Sequence, residues 1–182
     1  MEIYYQNHYH FYNRTNNHES AFREDRNFEY FLKKYRKFVA PFVKTFAYCL
    51  MPTHFHFFIQ IQTKQTALLS KNIGTFLSSY AKGYNNAYNR NGSLFQQHSK
   101  AILVDDDSYF LALSNYIHQN PVRADLAKNV EGWPFSSFLD LCRKRKGTFL
   151  SWDIIDCYFK DMDEFVAYSN IIMKEVKAKY WV

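Results

Sequence analysis

Glycine, proline and cysteine are scarce in this 182-residue sequence, which contains 5, 4 and 3 of them. It has no internal repeat, no low-complexity segment and no flexible linker. The cysteines are odd in number and form no Cys-x-x-Cys pair, so neither a disulfide framework nor a cysteine zinc site is expected. They are Cys49, Cys142 and Cys157.

Long apolar runs are also missing. No apolar stretch is long enough to span a bilayer. The residues after Met1 lack the basic and apolar regions of a signal peptide. We therefore expect a cytoplasmic protein with reduced thiols and no membrane partner.

Aromatic residues are abundant instead. They make up 20% of the sequence, with 15 tyrosines and 18 phenylalanines, and hydrophobic residues make up 47%. This composition supplies a core for a folded domain, and aromatic rings also stack on unpaired bases. The formal net charge of +6 favours a polyanionic partner, although many proteins with this surplus bind none.

The hydrophobic periodicity predicts a β-α-β-β-α-β order followed by a further helix. This order is typical of a ferredoxin-like α+β fold, an antiparallel sheet with helices on one face. We expect residues 1–140 to form one domain and residues 141–182 a helical C-terminal extension packed on it. The predicted strands cover residues 4–13, 43–51, 54–62 and 99–104, and the predicted helices cover 25–39, 66–89, 107–120, 136–143 and 162–177.

The stretch His54-Phe55-His56 begins the third predicted strand. Residues two apart on a strand share a face, so the imidazoles should lie side by side, with Cα atoms about 6–7 Å apart. Two neutral imidazoles on one rigid strand supply half of a divalent-metal site. Without further motifs, two partly buried histidines with ordinary hydrogen bonds would be the better interpretation.

Tyr116 and Asn120 supply candidates for the other half of the site. They lie four residues apart on the helix predicted at 107–120 and therefore share a face. A tyrosine hydroxyl is a usable nucleophile for phosphoryl transfer if a metal-bound phosphate or a base assists it. The amide oxygen of Asn120, two imidazoles, waters and a phosphate oxygen would complete an octahedral Mg²⁺ or Mn²⁺ site.

These residues together resemble the single-tyrosine HUH transposases, the insertion-sequence 200-like family. The sequence is most similar to the branch associated with repetitive extragenic palindromes (REP). The resemblance covers residues 4–140, and the ordered set of motifs is specific where the His-x-His pair alone is not. The motifs are Met51-Pro52-Thr53-His54-Phe55-His56, Gly92-Ser93-Leu94-Phe95-Gln96, Tyr116-Ile117-His118-Gln119-Asn120-Pro121-Val122-Arg123-Ala124 and Trp133-Pro134-Phe135-Ser136-Ser137.

The resemblance implies a metal-dependent strand transferase that acts on single-stranded or hairpin DNA. Tyr116 would form a covalent 5′-phosphotyrosine, and no nucleotide cofactor would be needed. Asn120 stands where better-known members carry glutamine, and the C-terminal tail is longer than theirs. Both a monomer and a homodimer therefore stay open.

Further residues are candidate DNA contacts. The basic run Arg143-Lys144-Arg145-Lys146 fits a phosphate-binding surface or a simple solvated face. Asn13, Arg14 and Arg123 are plausible phosphate or base contacts that equally suit capping roles.

Several alternatives stay open at this point. His8 and His10 form a second His-x-His pair, and Tyr109 is a rival to Tyr116 on the same helix. A domesticated protein that binds hairpin DNA or RNA without cleaving it, and a metallohydrolase for small phosphoesters, are the alternative functions.

Overall fold

The strands are rich in aromatic and β-branched residues, which favour buried pleated surfaces, and they pair into one antiparallel sheet. The computed structural model describes residues 2–106, 108–147 and 149–171. The strand order is β2-β3-β1-β4, which together with the element order confirms the predicted ferredoxin-like α+β fold. The strands are β1 (His8–Arg14), β2 (Val43–Met51), β3 (His54–Ile61) and β4 (Lys100–Val104).

Three long helices cover the two faces of the sheet. Two of them connect β1 to β2 and β3 to β4 on one face, and the third follows β4. The third packs against β2 and β3 within a second, separate apolar cluster, so it covers the opposite face. The helices are α1 (Asp25–Phe38), α2 (Thr66–Ala87) and α3 (Ser108–Arg123).

Side-chain alternation along β3 divides the two cores. Phe55, Phe57 and Ile59 lie in the larger core with α1 and α2, whereas Phe58 lies in the α3 cluster. Burying each of these side chains contributes about 1.5–3 kcal/mol. The helices that cover the larger core contribute Phe28, Phe31, Tyr35, Leu69, Ile73, Phe76 and Tyr80.

The outer edge of β2 is covered by chain from the C-terminal third. The amide of Leu50 donates to the carbonyl of Phe135 at 2.9 Å, and the amide of Ser137 donates to the carbonyl of Tyr48 at 2.9 Å. These bonds pair an edge that would otherwise expose its backbone groups. The Trp-Pro-Phe-Ser-Ser motif therefore extends the sheet rather than forming an isolated loop.

The start of β1 and the end of α3 differ from the predictions by three or more residues. The first strand begins at His8 rather than at residue 4, because Gln6 adopts a positive φ of 65° and turns the chain there. Helix α3 was expected to end before Pro121, and this expectation was wrong. The helix continues to Arg123, and the amide of Ala124 still donates to the carbonyl of Asn120 at 3.0 Å.

The C-terminal part, as far as the structure describes it up to residue 171, forms three short α-helices, α4 (Phe138–Leu141), α5 (Asp153–Tyr158) and α6 (Met162–Ser169). The helix predicted at 136–143 is thus one turn long, and the part of the 162–177 prediction beyond residue 171 lies outside the described residues, as does Asp107. Phe138 stacks on Phe165 with ring centroids 5.5 Å apart, so α6 packs against α4. No helix among the described ranges is long and apolar enough to cross a membrane.

His118 anchors α3 to the rest of the fold. Its Nε2 lies 2.8 Å from the hydroxyl of Ser137, and the ring is fully buried against Phe138 and Phe165. Burial lowers the pKa of His118 from 6.5 to about 3. The ring is therefore neutral in the folded protein at pH values where an unfolded chain protonates it.

We expect His118 to lower the free energy of unfolding in mild acid. Between pH 7.5 and 5.5 only the unfolded state gains the proton, so the free energy of unfolding falls by about 1.4 kcal/mol for this group. His118→Gln removes the titration, and the fall measured by urea denaturation should be smaller by that amount. Equal pH dependence in the variant and the wild type would contradict the assignment.

Candidate active site

His54 and His56 lie on the face of β3 that α3 covers, as strand geometry predicts. Phe55 between them points into the opposite core. The two imidazole rings have centroids 5.0 Å apart and are perpendicular, with an interplanar angle of 88°. One imidazole therefore lies beside the other on a rigid central strand.

Each of these rings is held through its Nδ1 atom. The Nδ1 of His54 lies 3.1 Å from the hydroxyl of Thr53, and the Nδ1 of His56 lies 2.9 Å from the Nε2 of His10. A hydrogen bond at Nδ1 leaves Nε2 as the atom for a ligand. In the part of the chain that the structure describes, the buried Nε2 of His56 has no hydrogen-bond partner.

Both histidines are held in the neutral form. Burial, and then the neighbouring Arg14 and His18, lower the pKa of His54 to about 4. Burial, followed by the neighbouring His10 and His54, lowers the pKa of His56 well below its usual 6.5. Metal ligation needs an unprotonated imidazole nitrogen, so this protonation state suits a ligand.

The donor set fits a divalent ion in part. Two neutral imidazoles with available Nε2 atoms are present, and an unpartnered buried nitrogen is expensive unless something binds it. The described residues contain no cluster of three or more His, Cys, Asp or Glu side chains that could hold a metal. A third protein ligand would therefore have to be an amide, water or substrate oxygen.

Tyr116 approaches the histidines from α3. Its ring centroid lies 5.9 Å from that of His56 and 6.3 Å from that of His10, in edge-on geometry to both. The residue is buried, with only 6% of its surface exposed. The structure thus brings Tyr116, on α3, next to the face of β3 that carries His54 and His56.

Asn120 lies one turn after Tyr116, and its side-chain amide nitrogen donates to the carbonyl of Tyr116 at 2.8 Å. This bond uses the amide nitrogen and leaves the amide oxygen as an acceptor. Its role as a metal ligand stays a prediction. Tyr109, the rival tyrosine, lies in the same apolar cluster two turns earlier.

His10 was not predicted as a partner of His56. The sequence pattern indicated His8 and His10 only as a competing pair. In the fold β1 lies next to β3, and the register places His10 opposite Phe58, which is two residues from His56 along β3. His8 instead packs on Phe110, with ring centroids 4.4 Å apart. The available signal was that a ferredoxin-like order makes the first and third strands neighbours.

Two more side chains share the histidine face. The register pairs Tyr12 with His56 and Arg14 with His54 across β1 and β3. Directly opposed residues have Cβ atoms about 4.5–5.5 Å apart. Arg14 is exposed and therefore stands at the rim of the histidine pair, as its effect on the pKa of His54 also indicates. Tyr12 was not among the candidates from the sequence.

Arg123 also stands beside the site. Its guanidinium lies 5.7 Å from the ring centroid of Tyr116, and the residue is exposed. A DNA contact at Arg14 or Arg123 stays a prediction.

The amide of Asn13 has a role inside the fold. It donates to the carbonyl of Gln96 at 3.1 Å and to the hydroxyl of Ser99 at 2.9 Å. The side chain is almost fully buried. Asn13 therefore holds the segment before β4 in place, and direct DNA contact by this residue stays a prediction that nothing in the fold requires.

The residues of the basic run after α4 make different contacts. Arg145 binds both carboxylate oxygens of Asp140, with its Nε and Nη2 atoms each 2.7 Å away, and also donates to the hydroxyl of Tyr48. Lys144 pairs with Glu131 at 3.0 Å. Arg143 is exposed with a positive φ of 56°. Arg145 is thus engaged within the fold, and DNA contacts by Arg143 and Lys144 stay predictions.

The comparisons with known proteins bear on this site. The family model described as "Transposase IS200 like" matches residues 3–120, which include both histidines and Tyr116. The chain belongs to the IS200-like transposase family. This membership confirms the resemblance seen in the sequence. No curated protein matches the chain.

The fold also matches a solved structure of this type. The structure of a REP-associated tyrosine transposase bound to a REP hairpin superposes with a TM-score of 0.59 at 18% identity. The match covers 83% of this chain and 90% of that chain. At this identity the likeness concerns the fold, and it agrees with the transposase family.

Proposed function

We propose that this transposase cleaves and rejoins single-stranded DNA through Tyr116. The observation that carries the proposal is the edge-on packing of the Tyr116 ring on His56, whose Nε2 is otherwise unpartnered among the described residues. A tyrosine ring and a buried imidazole thus lie on one face, which supports the proposal because phosphoryl transfer needs a nucleophile and a metal-bound phosphate side by side.

We propose that His54 and His56 hold a Mg²⁺ or Mn²⁺ ion, with the amide oxygen of Asn120 as a third ligand. When bound, the ion polarises a phosphate oxygen and stabilises the charge that develops during transfer. For His56 to offer a lone pair at Nε2, its Nδ1–H must donate to the Nε2 of His10. His10 is therefore a positioning residue for the ring.

The proposed reaction conserves a phosphoester bond. The hydroxyl oxygen of Tyr116 attacks the scissile phosphorus, the tyrosine loses its proton, and the bond from phosphorus to the 3′ oxygen breaks. The 3′ oxygen takes up a proton, and the 5′ end stays attached to Tyr116. Attack by a different 3′-hydroxyl reverses these steps and joins new strands without a nucleotide cofactor.

We propose that Arg14 and Arg123 hold the scissile strand. Both are exposed cations beside the site, and guanidinium groups bind phosphate in bidentate fashion. The solved relative is described as bound to a REP hairpin, so we propose hairpin DNA as the substrate, in the cytoplasm. A monomer and a homodimer both fit the proposal.

The second candidate function is hairpin binding without cleavage. The low exposure of Tyr116 favours it, because a nucleophile must reach the phosphate. A metallohydrolase for small phosphoesters is less well supported, since the described residues hold no carboxylate-rich ligand cluster that would bind a metal and its water.

A covalent-adduct assay separates these functions. The protein is incubated with end-labelled hairpin DNA carrying single-stranded flanks and Mn²⁺, and adducts that resist denaturant are resolved on a gel. We expect an adduct that needs the divalent ion. Tight hairpin binding without an adduct in Mg²⁺, Mn²⁺ or Co²⁺ would instead establish the non-cleaving function.

The positioning role of His10 has its own expected result. His10→Leu removes the acceptor that orients His56, and we expect the Mn²⁺ dissociation constant to rise about 10–100-fold. His10→Gln retains an acceptor and should lose less affinity. Isothermal titration calorimetry measures both, and unchanged Mn²⁺ affinity in His10→Leu would refute the role.

A further inference from the structure

Two sulfur side chains lie beside the histidine pair, on the neighbouring strand β2. The register of β2 and β3 pairs Cys49 with His56. Two residues further along β2, Met51 is paired with His54. Directly opposed residues share a face of the sheet, with Cβ atoms about 4.5–5.5 Å apart. Both sulfur residues belong to the α3 cluster, so they lie on the same face as the two imidazoles.

The two sulfur atoms have a separation that suits a shared metal ion. The Sγ atom of Cys49 lies 3.7 Å from the Sδ atom of Met51. With metal–sulfur bonds of about 2.3 Å, two sulfur ligands are about 3.8 Å apart in a tetrahedral site and about 4.0 Å apart in a trigonal one. Both residues are buried, and packing holds their side chains in place. Only a small shift would therefore bring both sulfur atoms onto one ion.

The Nε2 atom of His56 supplies a third donor. The Nδ1 atom of this ring faces β1, where it lies 2.9 Å from the Nε2 of His10. Because β3 lies between β1 and β2, the opposite edge of the ring, which carries Nε2, is turned toward Cys49. This nitrogen is buried and has no hydrogen-bond partner in the described residues. Cysteine and methionine often only fill a core, and it is the unpartnered nitrogen beside them that points to a ligand.

The three donors define the class of ion. Thiolate and thioether sulfur select soft ions such as Cu⁺, and imidazole also suits copper. Mg²⁺ and Mn²⁺ instead prefer oxygen donors. The described residues hold no metal cluster of three His, Cys, Asp or Glu side chains, and the donor set agrees with this because one member is a thioether.

We propose that Cys49, Met51 and His56 bind one Cu⁺ ion, and that copper thereby competes with the divalent ion for His56. A nitrogen lone pair binds one metal ion at a time, so bound Cu⁺ removes His56 from the Mg²⁺ or Mn²⁺ site and stops strand cleavage. This inhibition rests on the proposed function, whereas Cu⁺ binding itself does not.

The binding step involves a proton but no electron transfer. The sulfur of Cys49 forms a bond to Cu⁺ and releases its thiol proton to solvent, while Met51 and His56 donate lone pairs. Burial raises the pKa of the Cys49 thiol well above its usual value, and coordination to a metal deprotonates a thiol outright. His54 is only half-buried, so the ion can enter from that side.

A competition titration measures Cu⁺ binding without DNA. The parent protein is full-length Cys157→Ser, because Cys157 is an exposed thiol and would bind copper at the surface. The parent competes with a colorimetric Cu⁺ chelator under anaerobic conditions. We expect one Cu⁺ per chain, and binding at least about tenfold weaker when Met51→Leu or Cys49→Ala is added.

Met51→Leu is the sharper variant, because leucine has a similar volume and only the sulfur donor is lost. Cys142→Ser is the matched control, since Cys142 is also buried but lies in the larger core. X-ray absorption at the copper edge gives an independent readout. It should show two sulfur neighbours and one nitrogen neighbour in the parent, and one sulfur fewer in Met51→Leu.

Inhibition of strand cleavage is measured separately, with the rate of each protein without copper as its own reference. Cu⁺ should inhibit Mn²⁺-dependent cleavage by the parent, and additional Mn²⁺ should relieve the inhibition. In Met51→Leu, half-inhibition should need at least about tenfold more Cu⁺, in line with the weaker binding.

The outcomes separate the site from its alternatives. One bound Cu⁺ that is weakened by Met51→Leu and Cys49→Ala but not by Cys142→Ser supports the site. No Cu⁺ binding by the parent, unchanged affinity in both sulfur variants, or an equal loss in Cys142→Ser overturns it. Cu⁺ binding that leaves cleavage unchanged overturns the competition at His56. Failure of the proposed function is seen separately, as the absence of an adduct in Mn²⁺ without copper.

Discussion

Replacing Tyr116 with phenylalanine is expected to abolish the covalent DNA adduct and to lower strand cleavage at least about 1,000-fold, because the attacking oxygen is removed. The ring contacts with His56 and His10 are retained in phenylalanine. The binding free energy for the hairpin should therefore change by less than about 0.7 kcal/mol, which corresponds to less than about a threefold change in affinity. Gel analysis of adducts and anisotropy with the same DNA measure both quantities.

Two other tyrosines provide matched controls. Tyr109 lies two turns earlier on α3, and the ring of Tyr12 lies 6.1 Å from that of His56, nearly as close as Tyr116. Tyr109→Phe and Tyr12→Phe should both retain the adduct. An adduct that survives in Tyr116→Phe and disappears in Tyr12→Phe would transfer the role of nucleophile to β1.

His54→Ala is expected to lower the cleavage rate about 100-fold or more at limiting Mn²⁺, with partial recovery at high Mn²⁺. This is expected because the variant loses one of the two proposed imidazole ligands. The described residues offer no cluster of three or more His, Cys, Asp or Glu side chains that could compensate for the loss. His54 is only half-buried, so the variant should fold. Initial cleavage rates over a series of Mn²⁺ concentrations give the result.

His8→Gln is the matched control for this experiment. His8 lies on the same sheet face but packs on Phe46 and Phe110 rather than on the candidate metal ligands. Its Mn²⁺ dependence should match that of the wild type. If His54→Ala cleaved as fast as the wild type at every Mn²⁺ concentration, the proposed metal site would be wrong.

Local patterns predicted much of the fold. The period-2 and period-3.6 patterns gave the order of the long elements, and that order admits few topologies. The His-x-His pair and the Tyr116 helix followed from the same patterns, because residues two apart on a strand and four apart on a helix share a face. These features could be predicted because they depend on residues that are close together in the sequence.

Contacts between distant residues were harder to predict. The bond between His10 and His56 spans 46 positions and depends on the register of two strands, which their spacing does not reveal. Arg145 was interpreted as a candidate DNA contact from its basic neighbours, and the turn after α4 brings it back to the carboxylate of Asp140 within that helix. The pattern of charges alone does not identify such a partner.

The end of α3 shows a different limit. Proline normally terminates a helix because it lacks an amide donor and crowds the preceding turn, at a cost of about 3 kcal/mol. Pro121 is nevertheless buried inside the helix, and the chain continues in helical form to Arg123. Tertiary packing outweighs local preference here, and this places Arg123 beside Tyr116.

Mass spectrometry of the trapped adduct tests the central claim most directly. After reaction with hairpin DNA in Mn²⁺, nuclease and trypsin treatment should leave a nucleotide on the peptide that covers residues 101–123, and fragmentation should locate it on Tyr116. Tyr12 lies in a different tryptic peptide, which covers residues 1–14. A nucleotide attached to Tyr12 or Tyr109, or a protein that cleaves the hairpin without any attached nucleotide, would contradict the account.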